Sequence, residues 1–378
     1  MKIILAPDSF KGSLTARAAA DAMETGVRRA SKKITTVKAP LSDGGEGLAE
    51  ALVTAAGGKI RRKKVTGPLG DPVMASYGLI DNGKTAVIET AAAAGLTLLK
   101  PSGRNPLLAT TFGVGELIAA AIEAGCTTII LGAGGSATVD GGIGMLQALG
   151  VNFMDRQGKP VGRGGGELIK IHSINRGDCP GFIGRVRFIV AADVQNTLCG
   201  KHGAAMVYGP QKGADQKTAA LLDRGLMHFA RVIRQHGKKN LSCIPGSGAA
   251  GGLAAGACAI LGARIAFGID IVLKKIGFER LLTGCDLVIT GEGRTDGQTR
   301  FGKAPLGVAR RAATHAVPVV CVSGALGMKI DELYHEGFDA LFSIIDGPNS
   351  ESEAMADAKN LLARATENIV RLFLSARR

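Results

Sequence analysis

Short apolar runs that end in glycine, acid or hydroxyl residues, each followed by an amphipathic stretch, recur along this chain, and that grammar constrains its fold more than any other feature. The first is KIILAPD at residues 2–8, followed by SLTARAAADAMETGVRRA, where Leu14, Ala18, Ala22 and Val27 fall near helical spacing with Ser13 as the expected N-cap. The pattern returns in TTIILGAGGSATVDGGIGMLQALG, in RVRFIVAADVQN, in CDLVITGEG ahead of a helix expected near Pro305, and in VPVVCVSGAL ahead of MKIDELYHEG. Repeated β-loop-α units imply parallel sheets covered by helices. Ligands of such sheets collect at the carboxyl ends of the strands. The polar clusters sit at those ends: Asp8 to Ser13, Ser42 to Glu46, Gly134 to Asp140, Asp193 to Asn196, and the run from Val288 to Ala309.

Length adds a second constraint. Single cores stop growing near about 250–300 residues, and this chain has 378. Two domains with a cleft are expected. The first unit and the last strands read as halves of one doubly wound, Rossmann- or flavodoxin-like domain, residues 1–66 plus 279–378, into which a mixed α/β domain, residues 67–278, is inserted, with the active site in the cleft between them. The inserted part carries a hairpin signal at Asn82-Gly83.

Charge and cysteine usage exclude several function classes. A formal charge of +14 invites a polyanion, yet there is no Trp, only three Tyr, and one short basic run, Arg61 to Lys64. Stacking surfaces for nucleic acid need aromatics, so the positive field reads as attraction for anionic small molecules. The seven cysteines, at 126, 179, 199, 243, 258, 285 and 321, form no C-x-x-C pair and are odd in number. They fit small buried residues in a reducing, cytoplasmic setting. The apolar segment IILAP is too short for a secretory signal, and the longest uncharged run, Cys243 to Ala263, is mostly Gly and Ala, which reads as a loop entering a buried helix rather than a membrane span.

Two motifs mislead. GAGGSA at 132–137 matches a dinucleotide fingerprint, with Asp155 at the expected distance, and is the argument for an NAD-linked hydroxyacid dehydrogenase. Against it, the polar TVDGG interrupts the helix that should start there. GQTRFGKA at 297–304 satisfies G-x-x-x-x-G-K but offers Ala304 where a phosphate-binding loop needs Ser or Thr, and it begins seven residues past the strand end expected at Thr290. Lys303 just ahead of a helix N-terminus still suits an anion. The six histidines show no zinc-ligand spacing, and no G-x-S-x-G elbow occurs. Carboxylates, cations and glycine amides remain, the equipment of phosphoryl transfer.

The segments APDSFKGSLTA, SDGGEG, IETAAAAGL, RNPLLATTFGVGELI, GGSATVDGGIGMLQALG, ADVQNTLCGKHGAAMVYGPQKGA and TGEGRTDGQTRFGKAPLGVA, in this order over nearly the whole chain, resemble the bacterial glycerate kinase family of the two-domain glycerate 2-kinase type. The resemblance implies phosphorylation of D-glycerate to 2-phosphoglycerate by ATP with Mg²⁺; a kinase of another small hydroxy acid is the near alternative. Departures from the family pattern fall at Val139, at Asn196-Thr197-Leu198 and at Phe301. On this reading Arg294 pairs with the substrate carboxylate, with Asp8, Ser9 and Asp296 around it. Asp193 orients or deprotonates the hydroxyl, and Lys11 and Lys303 balance the transferring phosphoryl group. Gly134, Gly135, Ser136, Thr138 and Lys212 face the nucleotide, and Asp43 and Glu292 hold Mg²⁺.

Overall fold

The computed structural model describes residues 1–377 apart from Asp43, Glu46, 176–183, 237–240, Gln298, Arg300 and Phe301. The chain divides into two compact units, Met1–Asp43 with Ile269–Arg378, and Gly44–Gly268.

With strands numbered along the chain, the first unit holds a five-stranded sheet of β1 (Lys2–Pro7), β2 (Thr35–Lys38), β11 (Leu287–Thr295), β12 (Val319–Leu326) and β13 (Ala340–Ser343), in the order β13-β12-β11-β1-β2. All four pairings are parallel. From β1 the chain steps outward to β2 on one side, and from β11 to β12 and β13 on the other. The order therefore reverses between β1 and β11, where Leu5 pairs with Ile289 and Pro7 with Gly291. That reversal is the switch point where doubly wound sheets place their ligands.

The core of this unit forms as the spacing requires. Ile3 and Leu5 of β1, Met23 and Val27 of the helix Ala16–Ala30, Ile289, Val322, and Leu362 and Val370 of the helix Ala358–Ser375 make one buried cluster. Each such side chain contributes about 1.5–3 kcal/mol on full burial. The two helices touch at Gly26, where a Cβ would stand 2.2 Å from the Ala363 carbonyl oxygen. The N-cap of the first helix is Thr15, whose Oγ1 accepts from the Ala18 amide at 3.2 Å, and not Ser13. Ser13 lies two residues too early: Phe10 and Leu14 bridge each other, and the Ser13 hydroxyl donates to the Phe10 carbonyl at 3.0 Å.

A longer β11 is the main correction to the expected elements. The strand does not end at Thr290 but runs to Thr295, because β12 continues beside it, pairing Arg294 with Ala325 and Thr295 with Leu326. Gly291 read as a loop residue in sequence; here it allows close strand packing, since a Cβ would meet the Val322 carbonyl oxygen at 2.1 Å. Glu292 and Arg294 are thus strand residues.

The second unit carries a six-stranded mixed sheet of β3 (Lys59–Thr66), β4 (Pro72–Ile80), β5 (Thr85–Glu89), β6 (Thr128–Gly132), β9 (Arg187–Ala191) and β10 (Arg264–Ala266), in the order β10-β9-β6-β5-β4-β3. A small pair, β7 (Asn152–Met154) with β8 (Ser173–Asn175), stands apart. Strands β5, β6, β9 and β10 run parallel, whereas β3, β4 and β5 are joined antiparallel. The β4–β5 turn uses left-handed Asp81, Asn82 and Gly83, as the Asn-Gly signal requires.

The units divide at 43/44 and 268/269 rather than at 66/67 and 278/279. Strand β3 is hydrogen-bonded to β4, and Glu89 on β5 accepts from the Gly47 and Ala49 amides at 3.3 and 2.8 Å, capping the helix Leu48–Ala56. At the other junction Arg311 in the first unit binds Asp270 and Glu279, each at 3.0 Å. The Cys243–Ala263 run is a chain of short turns, Ala249–Gly252, Leu253–Gly256 and the π-helical Ala257–Leu261, with buried side chains. Among the described residues, no helix is long and apolar enough to cross a membrane.

Candidate active site

At the switch point of the first unit lies a cavity of about 560 Å³ whose lining includes Asp8, Ser9, Lys11, Glu292, Arg294 and Lys303. Six of the residues singled out in sequence, from segments nearly three hundred positions apart, meet there. Asp8 directly follows β1; it is buried, its amide donates to the Gly291 carbonyl at 2.8 Å, and its Oδ1 accepts from the Ser9 amide at 2.6 Å. Lys11 follows on an exposed turn.

Glu292 is the most enclosed charged group of the cavity, 6% exposed. Its Oε2 accepts from Lys303 Nζ at 2.9 Å, and its Oε1 accepts from the hydroxyls of Thr299 at 2.8 Å and Thr295 at 3.0 Å. Burial raises its carboxyl above the ordinary glutamate value, opposed by the Lys303 charge and by the hydrogen bonds to Lys303, Thr299 and Thr295. Thr295 gives its one proton to Glu292, so Ser323 on β12, 2.7 Å away, donates to Thr295. Sequence reasoning missed these hydroxyls. Thr295 and Thr299 stand within seven residues of Glu292 and could have been noticed, whereas Ser323 arrives from a neighbouring strand without any local signal.

Lys303 is the N-cap residue of the helix Ala304–Ala313, with Pro305 in the first turn. Its ammonium also donates to the Arg294 carbonyl at 3.1 Å, so one side chain ties the helix start to β11. The Arg294 side chain is 68% exposed, and its Nε lies 3.4 Å from Asp296 Oδ2. Asp296 is not among the cavity-lining residues; its carbonyl accepts from the Thr299 amide at 2.9 Å and shapes the loop below Arg294. Asp43, assigned to metal in sequence, and Phe301 lie outside the described residues.

In the second unit the structure brings Gly134, Gly135, Ser136, Thr138 and Lys212 together in two layers. Gly135, with φ +67°, is exposed in front, and a Cβ on Gly134 would meet Gly45 Cα at 2.5 Å. Behind them Lys212 is 3% exposed, and its ammonium donates to Ser136 Oγ at 3.0 Å and to the Thr138 carbonyl at 2.8 Å. Burial pushes this ammonium down to about 7, partly offset by Asp140. Asp140 is itself raised by burial, against bonds from the Thr111 amide and hydroxyl, both at 2.8 Å, and from the amides of Gly142 and Gly144. Lys212 therefore pins the loop from inside the protein.

Asp193 stands two residues past β9 and is half-buried. Tyr208 lies close enough that, after burial, the Asp193 charge raises its phenol. The Tyr208 hydroxyl donates to Asn196 Oδ1 at 2.7 Å, and the Asn196 amide donates to the His202 carbonyl at 2.8 Å. Tyr208 is a further residue that sequence did not flag. The dinucleotide reading of Gly132–Ala137 finds no support: the next helix starts only at Ile143, and Asp155 closes its own turn, accepting from the Gln157 and Lys159 amides at 2.8 and 2.9 Å.

An open parallel sheet whose switch point holds two carboxylates, two ammoniums and a guanidinium, joined to a second mixed α/β unit, defines an enzyme of the phosphotransferase class that acts on an alcohol group. Residues 3–374 match the glycerate kinase family. The chain is 46% identical over 367 residues to a glycerate kinase of Halalkalibacterium halodurans, covering 97% of each. It is 44% identical over 372 residues to the glycerate 2-kinase of Escherichia coli K12, covering 98% of this chain and 97% of that one. A crystal structure from Salmonella typhimurium LT2, 42% identical, superposes with a TM-score of 0.87 over 100% of this chain and 99% of that one. The chain belongs to the glycerate kinase family.

Proposed function

We propose that the chain transfers the terminal phosphoryl group of ATP to the 2-hydroxyl of D-glycerate, giving 2-phosphoglycerate. The observation that carries this reading is the convergence of Asp8, Lys11, Glu292, Arg294 and Lys303 on one cavity at the switch point of the first sheet. Phosphoryl transfer offers little covalent work to the protein; catalysis is positioning plus stabilisation of charge on the phosphoryl oxygens.

Each residue has a part in that scheme. Arg294 presents a largely exposed guanidinium, which fits the planar carboxylate of the substrate through two parallel bonds. Lys11 and Lys303 supply positive charge to the transferring group. Glu292 holds Lys303 in place through the 2.9 Å pair. Asp193 in the second unit orients the attacking hydroxyl and takes its proton. Ser9, whose amide is fixed by Asp8 at 2.6 Å, contributes a hydroxyl to the same cavity.

Mg²⁺ fits the donor set. It is held in such enzymes by one or two carboxylates plus phosphate oxygens and water, and Asp8 and Glu292 line the same cavity, while no cluster of three or more His, Cys, Asp or Glu occurs among the described residues. When bound, it neutralises charge between the terminal phosphates. Asp8 and Glu292 are the described residues that would hold it.

The test is acceptor-dependent release of ADP from ATP and Mg²⁺ with D-glycerate, L-glycerate, glycolate and no acceptor, followed by phosphorus NMR of the product. Selective turnover of D-glycerate with phosphate on the 2-hydroxyl is expected. Turnover of another hydroxy acid in its place would keep the kinase and change the substrate.

A further inference from the structure

The first-unit cavity is longer than the proposed acceptor needs. Its lining residues follow the carboxyl edge of the sheet from β1 (Asp8, Ser9) through β11 (Glu292) and β12 (Gly324, Ala325) to Ile344 and Ile345 past β13. Four neighbouring strands are three steps, about 14 Å at the usual inter-strand spacing. A three-carbon acid occupies a fraction of that length, whereas a nucleoside polyphosphate fills it.

The chemistry changes along the same path. The basic groups of the lining, Lys11, Lys303 and Arg294, belong with Asp8 and Glu292 to the β1 and β11 end, while Ile344, Ile345, Ala354 and Met355 give the rest a mainly apolar wall, with Ser350 and the carboxylate of Glu351 beside it. Met355 reaches back over the β1 turn, since a Cβ on Gly12 would lie 2.5 Å from its terminal methyl. Asn349 also lines the cavity; it is exposed, and its side-chain amide makes no hydrogen bond to another described residue. An asparagine amide offers one donor and one acceptor, the complement of the adenine N7 and N6 edge and a mismatch for guanine, which shows two acceptors there.

The larger cavity of the second unit, about 940 Å³, has no such gradient: its lining, Leu241, Ile244, Pro245, Ile260, Leu261 and Ile265 among others, includes no charged residue. A polyphosphate finds no counter-charge on those walls. The turn at Gly134–Gly135, expected from sequence to face the nucleotide, has its only lysine, Lys212, turned inward onto Ser136 and Thr138.

We propose, resting on the kinase reading above, that ATP lies wholly in the first unit: polyphosphate against Lys11 and Lys303, purine against Ile344, Ile345 and Met355, with Asn349 reading adenine. Wild-type protein is photolabelled with an azidoadenine analogue of ADP and the labelled peptide is mapped, and ADP binding and steady-state kinetics are measured for wild type, Asn349→Ala and Ile345→Asp. Label within residues 344–358 is expected. Asn349→Ala is expected to raise the ATP KM roughly tenfold and to narrow the preference for ATP over GTP, with the D-glycerate KM and the ligand-free melting temperature unchanged. Label in 241–267 or 134–138, or a rise in the D-glycerate KM alone, overturns the placement. Wild-type protein that binds no ADP by calorimetry sinks the kinase reading itself, and the placement with it.

Discussion

Glu292 Oε2 and Lys303 Nζ stand 2.9 Å apart at the switch point of the first sheet, a buried glutamate facing a lysine whose side chain is 26% exposed. The pair joins strand β11 to the start of the next helix and fixes the charge pattern of the cavity. Removing one partner of such a pair costs more than the pair contributes, because the other charge stays buried.

Lys303→Met therefore leaves Glu292 with only its two threonine donors, and a loss of about 1–3 kcal/mol is expected, read from urea unfolding at neutral pH. The sign of the pH dependence follows from the raised carboxyl. A glutamate that binds its proton more tightly folded than unfolded destabilises the fold as pH rises from the ordinary glutamate value through its higher folded pKa. Lys303→Met extends that window upward, and Glu292→Gln abolishes it. A variant whose stability tracks wild type across the whole range would show that the pair is not coupled to folding.

Lys212 makes the opposite prediction in the second unit. Burial brings its ammonium down from 10.5 to about 7, so between these values the unfolded chain holds a proton that the folded one has released. Stability then rises with pH across this window, with a contribution of up to about 1.4 kcal/mol per pH unit. Lys212→Met also strips Ser136 and the Thr138 carbonyl of a donor, so its absolute stability is uninformative. The difference in slope between the two proteins is the readout, and parallel curves from pH 7 to 10 would mean that Lys212 stays charged.

The alternation of apolar runs and helical stretches was enough to read two α/β units and the polar strand ends, because that signal is local. The resemblance to a known family carried the activity further than the residues alone. Less legible were features set by partners distant in sequence. Gly291 marks a turn by composition, yet the β12 backbone beside it makes it a strand residue. Residues 44–66 went to the wrong unit because nothing local reveals that Lys59–Thr66 pairs with Pro72–Ile80. Lys212 was expected to face the nucleotide; that its ammonium instead turns inward depends on Ser136 and Thr138, more than seventy positions away.

Arg294 should separate acceptor from donor binding. Lysine at this position keeps the charge and loses the fork, so Arg294→Lys is expected to raise the D-glycerate KM by about tenfold while the ATP KM stays near wild type. The side chain is largely exposed and its contact with Asp296 is long at 3.4 Å, so little stability is at stake. If the ATP KM rises and the glycerate KM does not, Arg294 belongs to the polyphosphate.

Asp193 carries the proton-transfer step of the proposed mechanism, and its isostere tests that role directly. Asp193→Asn keeps size and hydrogen-bonding capacity and removes the base. Positioned general bases contribute about 10²–10⁴ in rate, so kcat is expected to fall at least a hundredfold while ADP binding is retained. Tyr208 supplies a second readout that a purely structural aspartate would also have to satisfy. Its phenol is raised by burial and then by the Asp193 charge, so neutralising Asp193 lowers the Tyr208 titration, visible in the ultraviolet difference spectrum. A lowered tyrosine titration with unchanged kcat would keep Asp193 beside Tyr208 and remove it from the chemistry; loss of turnover with intact ADP affinity would leave it as the group that takes the proton from glycerate.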